Sequence, residues 1–278
     1  MQQYQFQIFS PGGNDTALVF GLDFDKPMRR KIDYEIRTRY EVVEQVGFLG
    51  EKDGEYYLEM AGGEFCGNAT RCAASFFLRN TIGEIDIHVS GVSRPLKAGV
   101  NRAGTAWATM PVGSELSSVS STDDGFFLVP LEGIVHLIVP ADKSEQYLSV
   151  ARMADSFCDE LKLIAKGLMD KYSLAHNPAC GVMFLEETPN GLLMHPCVLV
   201  TGVESSMYYE TACGSGSIAV AMAFAFLNKN STKMTVIQPS KHPIIAAVEV
   251  EGDKTITVSY IDGVVITDGE IITRRLGA

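Results

Sequence analysis

Along much of the chain, apolar and polar residues alternate in short runs, the pattern of strands with one face in a core and one face wet. Such runs occupy residues 4–9, 56–60, 85–89, 106–110, 135–139, 194–199, 234–237, 246–250 and 255–258. Turn-forming stretches such as GGND (12–15), NRAG (101–104) and EGDK (251–254) separate them. Helical spacing is confined to three places. One helix is expected over 148–171, where Ala151, Ala154, Leu161, Ile164 and Leu168 recur at near-helical intervals. A second follows Cys66, with Ala69, Cys72, Ala73, Phe76 and Phe77 forming a single apolar stripe that ends near Asn80 and Gly83. The third follows Cys213. Its segment 218–227 is apolar on every side, so it should be sheathed by sheet.

The last two helices share an opening. CGNATRCAASFF (66–77) and CGSGSIAVAMAF (213–224) lie about half the chain apart. Each half then reads as strands, a Cys-Gly-small turn, a buried helix and more strands. The expectation is two topologically similar α+β domains, joined through the Ser-rich stretch 114–125.

Composition narrows the classes. With 46% hydrophobic and 21% charged residues, the chain has the make-up of an ordinary soluble globular protein. A net charge of −11 disfavours nucleic acid and anionic lipid, which need a basic stripe. The N-terminus has no basic-then-apolar leader pattern, and the longest apolar run is half a membrane span. The six cysteines form no CxxC pair and are sparse for a disulfide scaffold, which points to a reduced, cytoplasmic compartment. No ligand pair has the close spacing of a zinc site.

A thiol at a helix start has a chemical meaning. The first turn leaves main-chain N–H groups without intrahelical partners, and the peptide dipoles add partial positive charge there. A carboxylate binds at such an end, and a cysteine in the same field ionises more readily. Two such ends facing each other across a domain interface would hold one carboxylate, with a sulfur on each side of its α-carbon. That arrangement suits inversion at a carbon bearing hydrogen: one thiolate removes the proton and the opposing thiol returns one to the other face. Fixed N–H dipoles would stabilise the enediolate that forms between the two steps. Cys66 and Cys213 are the candidates. Cys72 falls on the apolar stripe and is read as core; Cys158, Cys180 and Cys197 carry no motif and are read as structural.

SPGGNDT (10–16), GGEFCGNATRC (62–72) and ETACGSGS (210–217) resemble the signature segments of the diaminopimelate epimerase-like superfamily, in the family's order and spacing. The resemblance implies two pseudo-symmetric domains, each a mixed β-sheet wrapped around a central helix. They would cover 1–117 and 118–264, with a C-terminal strand in 265–278 returning to the first. It makes Cys66 and Cys213 the acid/base pair of a pyridoxal-independent enzyme that needs no cofactor and no metal. It places the substrate carboxylate on Gly67, Asn68, Gly214 and Ser215, puts Asn14 in the cleft, and implies a homodimer.

Departures from the epimerase pattern bear on substrate. The family's Gly-Asn-Pro-His stretch is Gly133-Ile134-Val135-His136 here, which keeps a histidine able to assist a thiol and loses an asparagine. Two further distal contacts fall near Ala179 and near Glu59 or Met60. The segment Tyr209-Glu210-Thr211 lacks the arginine for a distal carboxylate. Without those polar contacts the site has no grip on diaminopimelate. The chain is more similar to the histidine racemases, whose Glu-Gln-Val-Gly-Phe and Val-His stretches match residues 44–48 and 135–136, so Glu44 and Glu210 become candidate cleft acids. Histidine is the expected substrate. A divergent diaminopimelate epimerase and a non-catalytic thiol- or ligand-binding protein on the same fold are the alternatives. The paired cysteines argue against the phenazine-pathway isomerases that share the fold. His88, His176, His195 and His242 are read as surface or structural.

Overall fold

The computed structural model describes residues 3–201, 207–252 and 254–276. The expected turn at 251–254 therefore includes one residue outside the described set. The chain divides into two compact units, one of residues 1–109 and 262–278 and one of residues 110–261. The Ser-rich stretch 114–125, expected as the junction, is folded within the second unit: it holds a short 3-10 turn at Leu116–Ser118 and contributes a two-residue strand.

The first unit runs β1 (Gln3–Phe9), β2 (Thr16–Phe20), α1 (Lys26–Arg39), β3 (Gln45–Lys52), β4 (Glu55–Met60), α2 (Gly67–Phe77), β5 (Gly83–Val89), β6 (Leu96–Val100) and β7 (Ala106–Thr109). The β1–β2, β3–β4, β5–β6 and β6–β7 pairs are antiparallel, whereas β2–β3 and β4–β5 are parallel. Each parallel pair is bridged by a helix, as parallel strands require.

Period-two alternation then sorts the side chains. Ala17, Val19, Val46 and Phe48 pack with Ile32 and Ile36 of α1, and Leu18 and Leu49 pack with Ala69, Cys72, Ala73 and Ala74 of α2. With both faces covered, the sheet separates the amphipathic α1 from α2, which is buried from Gly67 to Ser75.

The second unit repeats this order. It runs β8 (Ser120–Ser121), β9 (Phe127–Leu131), β10 (Ile134–Val139), α3 (Ala141–Met153), α4 (Phe157–Lys171), β11 (Ala179–Thr188), β12 (Gly191–Val200), β13 (Met207–Tyr209), α5 (Gly214–Asn228), β14 (Thr232–Ile237), β15 (Pro243–Glu251) and β16 (Thr255–Gly263). Here β10–β11 are parallel around α3 and α4, and β12–β14 are parallel around α5. Leu137, Val139, Cys180, Val182 and Phe184 face α3 and α4. α5 packs on β9, β10, β11, β14 and β15. The chain ends with β17 (Ile272–Arg275), antiparallel to β1 in the first unit.

Two helical expectations change. The single helix over 148–171 is two helices, broken at residues 154–156. Ser156 ends the continuity because its side chain accepts the Asp159 N–H at 3.3 Å, starting α4 with its own N-cap. α1 was not anticipated. Its only apolar positions are Met28, Ile32 and Ile36 in a charged run, too narrow a stripe to stand out. Its start is marked by Asp25, whose carboxylate accepts the Met28 N–H at 2.9 Å, and by Pro27.

Candidate active site

In the first unit the SPGGND loop between β1 and β2 takes three consecutive left-handed residues, Gly12 (φ 86°), Gly13 (φ 104°) and Asn14 (φ 57°). Asn14 is buried. Its N–H donates to Glu44 Oε1 at 3.0 Å, and its carbonyl accepts from Thr16 Oγ1 at 3.1 Å. Glu44 thus acts on the loop's main chain from the start of β3.

Cys66 is the N-cap of α2. Its backbone is extended (φ −138°, ψ 112°) and its sulfur accepts the Ala69 N–H at 3.4 Å. Thr70 Oγ1 returns to the Cys66 carbonyl at 2.8 Å. Gly67 and Asn68, the first two helical residues, are buried. The Asn68 Oδ1 accepts from Arg71 Nη2 at 2.8 Å, and the same nitrogen donates to the Pro11 carbonyl at 2.9 Å. One guanidinium therefore ties the glycine loop to the start of α2.

The second unit builds a matching helix end. Cys213 is the N-cap of α5 with nearly the same backbone (φ −127°, ψ 106°), and its sulfur accepts the Gly216 N–H at 3.3 Å. Ser217 Oγ donates to the Cys213 carbonyl at 2.7 Å, as Thr70 does for Cys66. Ser215 Oγ lies 3.5 Å from the sulfur, and Gly214 is buried at the first helical position. Gln238 clamps the turn from the end of β14: its Oε1 accepts the Cys213 N–H at 2.9 Å and its Nε2 donates to Ser217 Oγ at 3.1 Å. Gly216 has no room for a side chain. A Cβ there would stand 2.4 Å from Met183 Sδ and 3.2 Å from Cys213 Sγ.

Electrostatics separate the two ends. Cys66 is half-buried, whereas Cys213 is 3% exposed. Burial holds the Cys213 thiol well above the ordinary value, and the adjacent Glu210 carboxylate, which hydrogen-bonds with it, pushes the same way. The helix-end field expected to favour ionisation is outweighed there by desolvation. Burial also raises Cys72, as befits a core thiol, and raises Cys180 to about 11. All six cysteines are free thiols.

His136 sits on the β10 face turned toward α5. It is fully buried, neither ring nitrogen has a hydrogen-bond partner, and burial lowers it to about 3. Its ring lies against Gly181, where a Cβ would come within 2.6 Å of Nδ1. The Met183 side chain reaches from Gly181 to Gly216 beside the Cys213 sulfur. His136 is therefore a neutral imidazole whose link to the thiol runs through a thioether, not through a hydrogen bond. His195 is bound to Tyr209 Oη at 2.8 Å and to Glu186 at 2.9 Å, a structural role.

The first unit gathers Asn14, Glu44, Cys66, Gly67 and Asn68 at one loop and helix end, and the second gathers Glu210, Cys213, Gly214 and Ser215 at another, with His136 packed behind. Sequence reasoning missed Arg71, Gln238 and Met183. Gln238 had a faint signal, an amide closing the apolar run TVIQP. Arg71 had one too, a cation inside an apolar helical stripe. Among the described residues no cluster of His, Cys, Asp and Glu is arranged to hold a metal, and no helix is long and apolar enough to cross a membrane.

The family model described as the histidine racemase CntK N-terminal domain matches residues 3–270. A histidine racemase of Fusobacterium nucleatum subsp. nucleatum is 31% identical over 252 aligned residues, covering 86% of this chain and 88% of the relative. One from Staphylococcus aureus is 22% identical, covering 86% of each. Among solved structures, a hydroxyproline epimerase from Agrobacterium vitis superposes with a TM-score of 0.62 at 13% identity, covering 98% of this chain and 92% of that one. A PhzF-family phenazine biosynthesis protein from Bacillus anthracis gives 0.64 at 12% identity, covering 99% and 100%. Those structural likenesses establish a shared fold.

Proposed function

The chain belongs to the histidine racemase CntK family, and from that membership we propose that it interconverts L- and D-histidine by a two-thiol route. One observation carries the reading: each unit caps a buried helix with a cysteine sulfur, in the same backbone conformation and with the same return bond from residue i+4. The repeated order of strands and helices supports treating the units as pseudo-symmetric copies, each a mixed sheet around a central helix, that bring their two thiols to one substrate.

In this mechanism the substrate α-carboxylate rests on the first-turn N–H groups of α2 and α5, at Gly67, Asn68, Gly214 and Ser215. A thiolate takes the α-proton, and the electron pair spreads into the carboxylate as an enediolate, held by those fixed dipoles. The opposite thiol delivers a proton to the other face. Asn14 and Glu44 shape the first wall, and Glu210 assists Cys213. His136 supports the second wall as a neutral ring. The route draws only on side chains and main-chain amides, so it asks for no cofactor. Six free thiols suit a reducing cytoplasm, and a homodimer is the expected assembly.

The test is incubation of L-histidine with the protein in deuterated water. D-histidine carrying deuterium at the α-carbon is the expected product. Histidine that keeps its α-hydrogen indefinitely would end this reading. Light scattering checks the dimer separately.

A further inference from the structure

Arg71 heads the fully buried side chains by size, an unusual place for a guanidinium, which stays charged in proteins. Only its Nη2 is used, by Pro11 and Asn68. Its Nε and Nη1 are buried with no hydrogen-bond partner. Among the described residues no carboxylate forms an ion pair with it. The charged and titratable groups that act on Arg71 are Cys72, Asp262 and Cys66, and Asp15 acts on Cys72 beside it. Asp262 is already engaged, accepting from Asn101 at 2.9 Å and Thr105 at 2.6 Å. A buried cation without a counter-ion is costly, and an anion that forms beside it relieves that cost.

Two sulfurs lie within its electrostatic reach, Cys66 and Cys72. Cys72 is closed in the core and its thiol is held protonated by burial. Cys66 is half-buried at the helix end. At the matching position after Cys213 the chain has Ile218, which is buried and apolar.

We propose that Arg71 is a positioning residue: its guanidinium is the counter-charge of the Cys66 thiolate and fixes the Asn68 amide, so that in the substrate-free protein Cys66 is the base and Cys213 the acid. This rests on the reading in which both cysteines exchange protons with substrate. In one direction the Cys66 thiolate takes the α-proton and becomes a thiol. The pair left on carbon takes a proton from the Cys213 thiol, which becomes a thiolate. Proton exchange with solvent after product release restores the starting distribution.

The experiment follows alkylation by iodoacetamide against pH in the substrate-free protein, with each modified cysteine identified by peptide mass spectrometry. Cys66 is expected to react as a thiolate at lower pH than Cys213. In Arg71→Gln, which keeps donors for Pro11 and Asn68, the Cys66 profile should move up by about one pH unit or more. Arg71→Lys should move it less, and the Cys213 profile should stay in place. The acid limb of kcat/KM should move with Cys66, and equally for both enantiomers, because their equilibrium constant is one. A merely structural role would lower activity without moving that limb. An unmoved Cys66 profile in folded Arg71→Gln overturns the proposal. So does Cys213 reacting at lower pH than Cys66 in the unaltered protein, a comparison that needs no variant. The racemase reading fails by a different sign, absence of α-hydrogen exchange in the unaltered protein, which alkylation does not depend on.

Discussion

The two helix ends are alike in main chain and unlike in surroundings. Cys66-Gly-Asn-Ala-Thr-Arg and Cys213-Gly-Ser-Gly-Ser-Ile place a sulfur at the N-cap, a glycine at the first helical position and a hydroxyl at i+4 that returns to the cysteine carbonyl. After that they part. The first end has Ala69 where the second has Gly216, whose Cβ position is closed off by Met183 Sδ. The first holds a buried cation in its second turn and leaves its thiol half-exposed. The second has an apolar residue there, a carboxylate beside the thiol and almost no solvent. A proton relay between mirror faces needs similar geometry on both sides, yet one group must be charged while the other is not. Under the two-thiol proposal, shared backbone would supply the first requirement and different neighbours the second.

Removing either sulfur tests the likeness most severely. Cys66→Ala and Cys213→Ala should each depress racemisation in both directions by about 10³-fold or more, since each direction needs a base and an acid. Chiral chromatography of histidine started from each enantiomer reads this. A variant of either kind that still racemises freely would show that the ends are not equivalent partners.

Next comes the crowding that distinguishes the second end. Gly216→Ala should cost about 1–3 kcal/mol in urea unfolding and lower activity, because the new methyl meets Met183 Sδ and the Cys213 sulfur. The aligned exchange Ala69→Gly adds no atoms near its thiol; it should cost about 1–2 kcal/mol, through helix propensity and the loss of one buried methyl, and leave activity less affected. Equal effects at the two positions would remove the distinction.

Gln238 is the third point of contrast, since it clamps the Cys213 turn from a neighbouring strand. Gln238→Leu leaves the buried Cys213 N–H and the Ser217 hydroxyl short of partners, for a loss of about 1–3 kcal/mol. Faster amide exchange at Cys213 in that variant, with no change at Cys66, would localise the effect.

The effect that is smallest at neutral pH, and grows only on acidification, concerns His136, which only the second end possesses. Its folded value of about 3 lies below the ordinary 6.5. The unfolded chain therefore takes up a proton between those limits while the folded chain does not. Its contribution is complete above pH 6.5 and is lost as pH falls toward 3, at up to about 1.4 kcal/mol per pH unit. His195, also lowered by burial, acts in the same direction. The part due to His136 is thus the difference in acid sensitivity between the unaltered protein and His136→Leu. If the two unfold alike down to pH 4, the ring is not held neutral.

The sequence by itself determined the local signals: the alternating strands, the two buried helices, a thiol at the head of each, and Cys72 as core. These are legible because N-caps and apolar periods are written within a few residues. Family motifs carried Asn14, Glu44, Glu210 and His136 into the reading, although without the surroundings that set their states. What only the tertiary structure decided is the environment of each group. Ser156 could divide a helix only once α3 and α4 packed on β10 and β11, and α1 needed the sheet face that covers Ile32 and Ile36. His136 became neutral because alternation in β10 turned it toward α5. Arg71 became a lone buried cation because helix and loop closed over it, and Cys213 was held protonated by burial that no stretch of its own residues encodes. Desolvation is the sum of contacts from segments far apart in the chain, so charge state is settled by the fold and not by the motif.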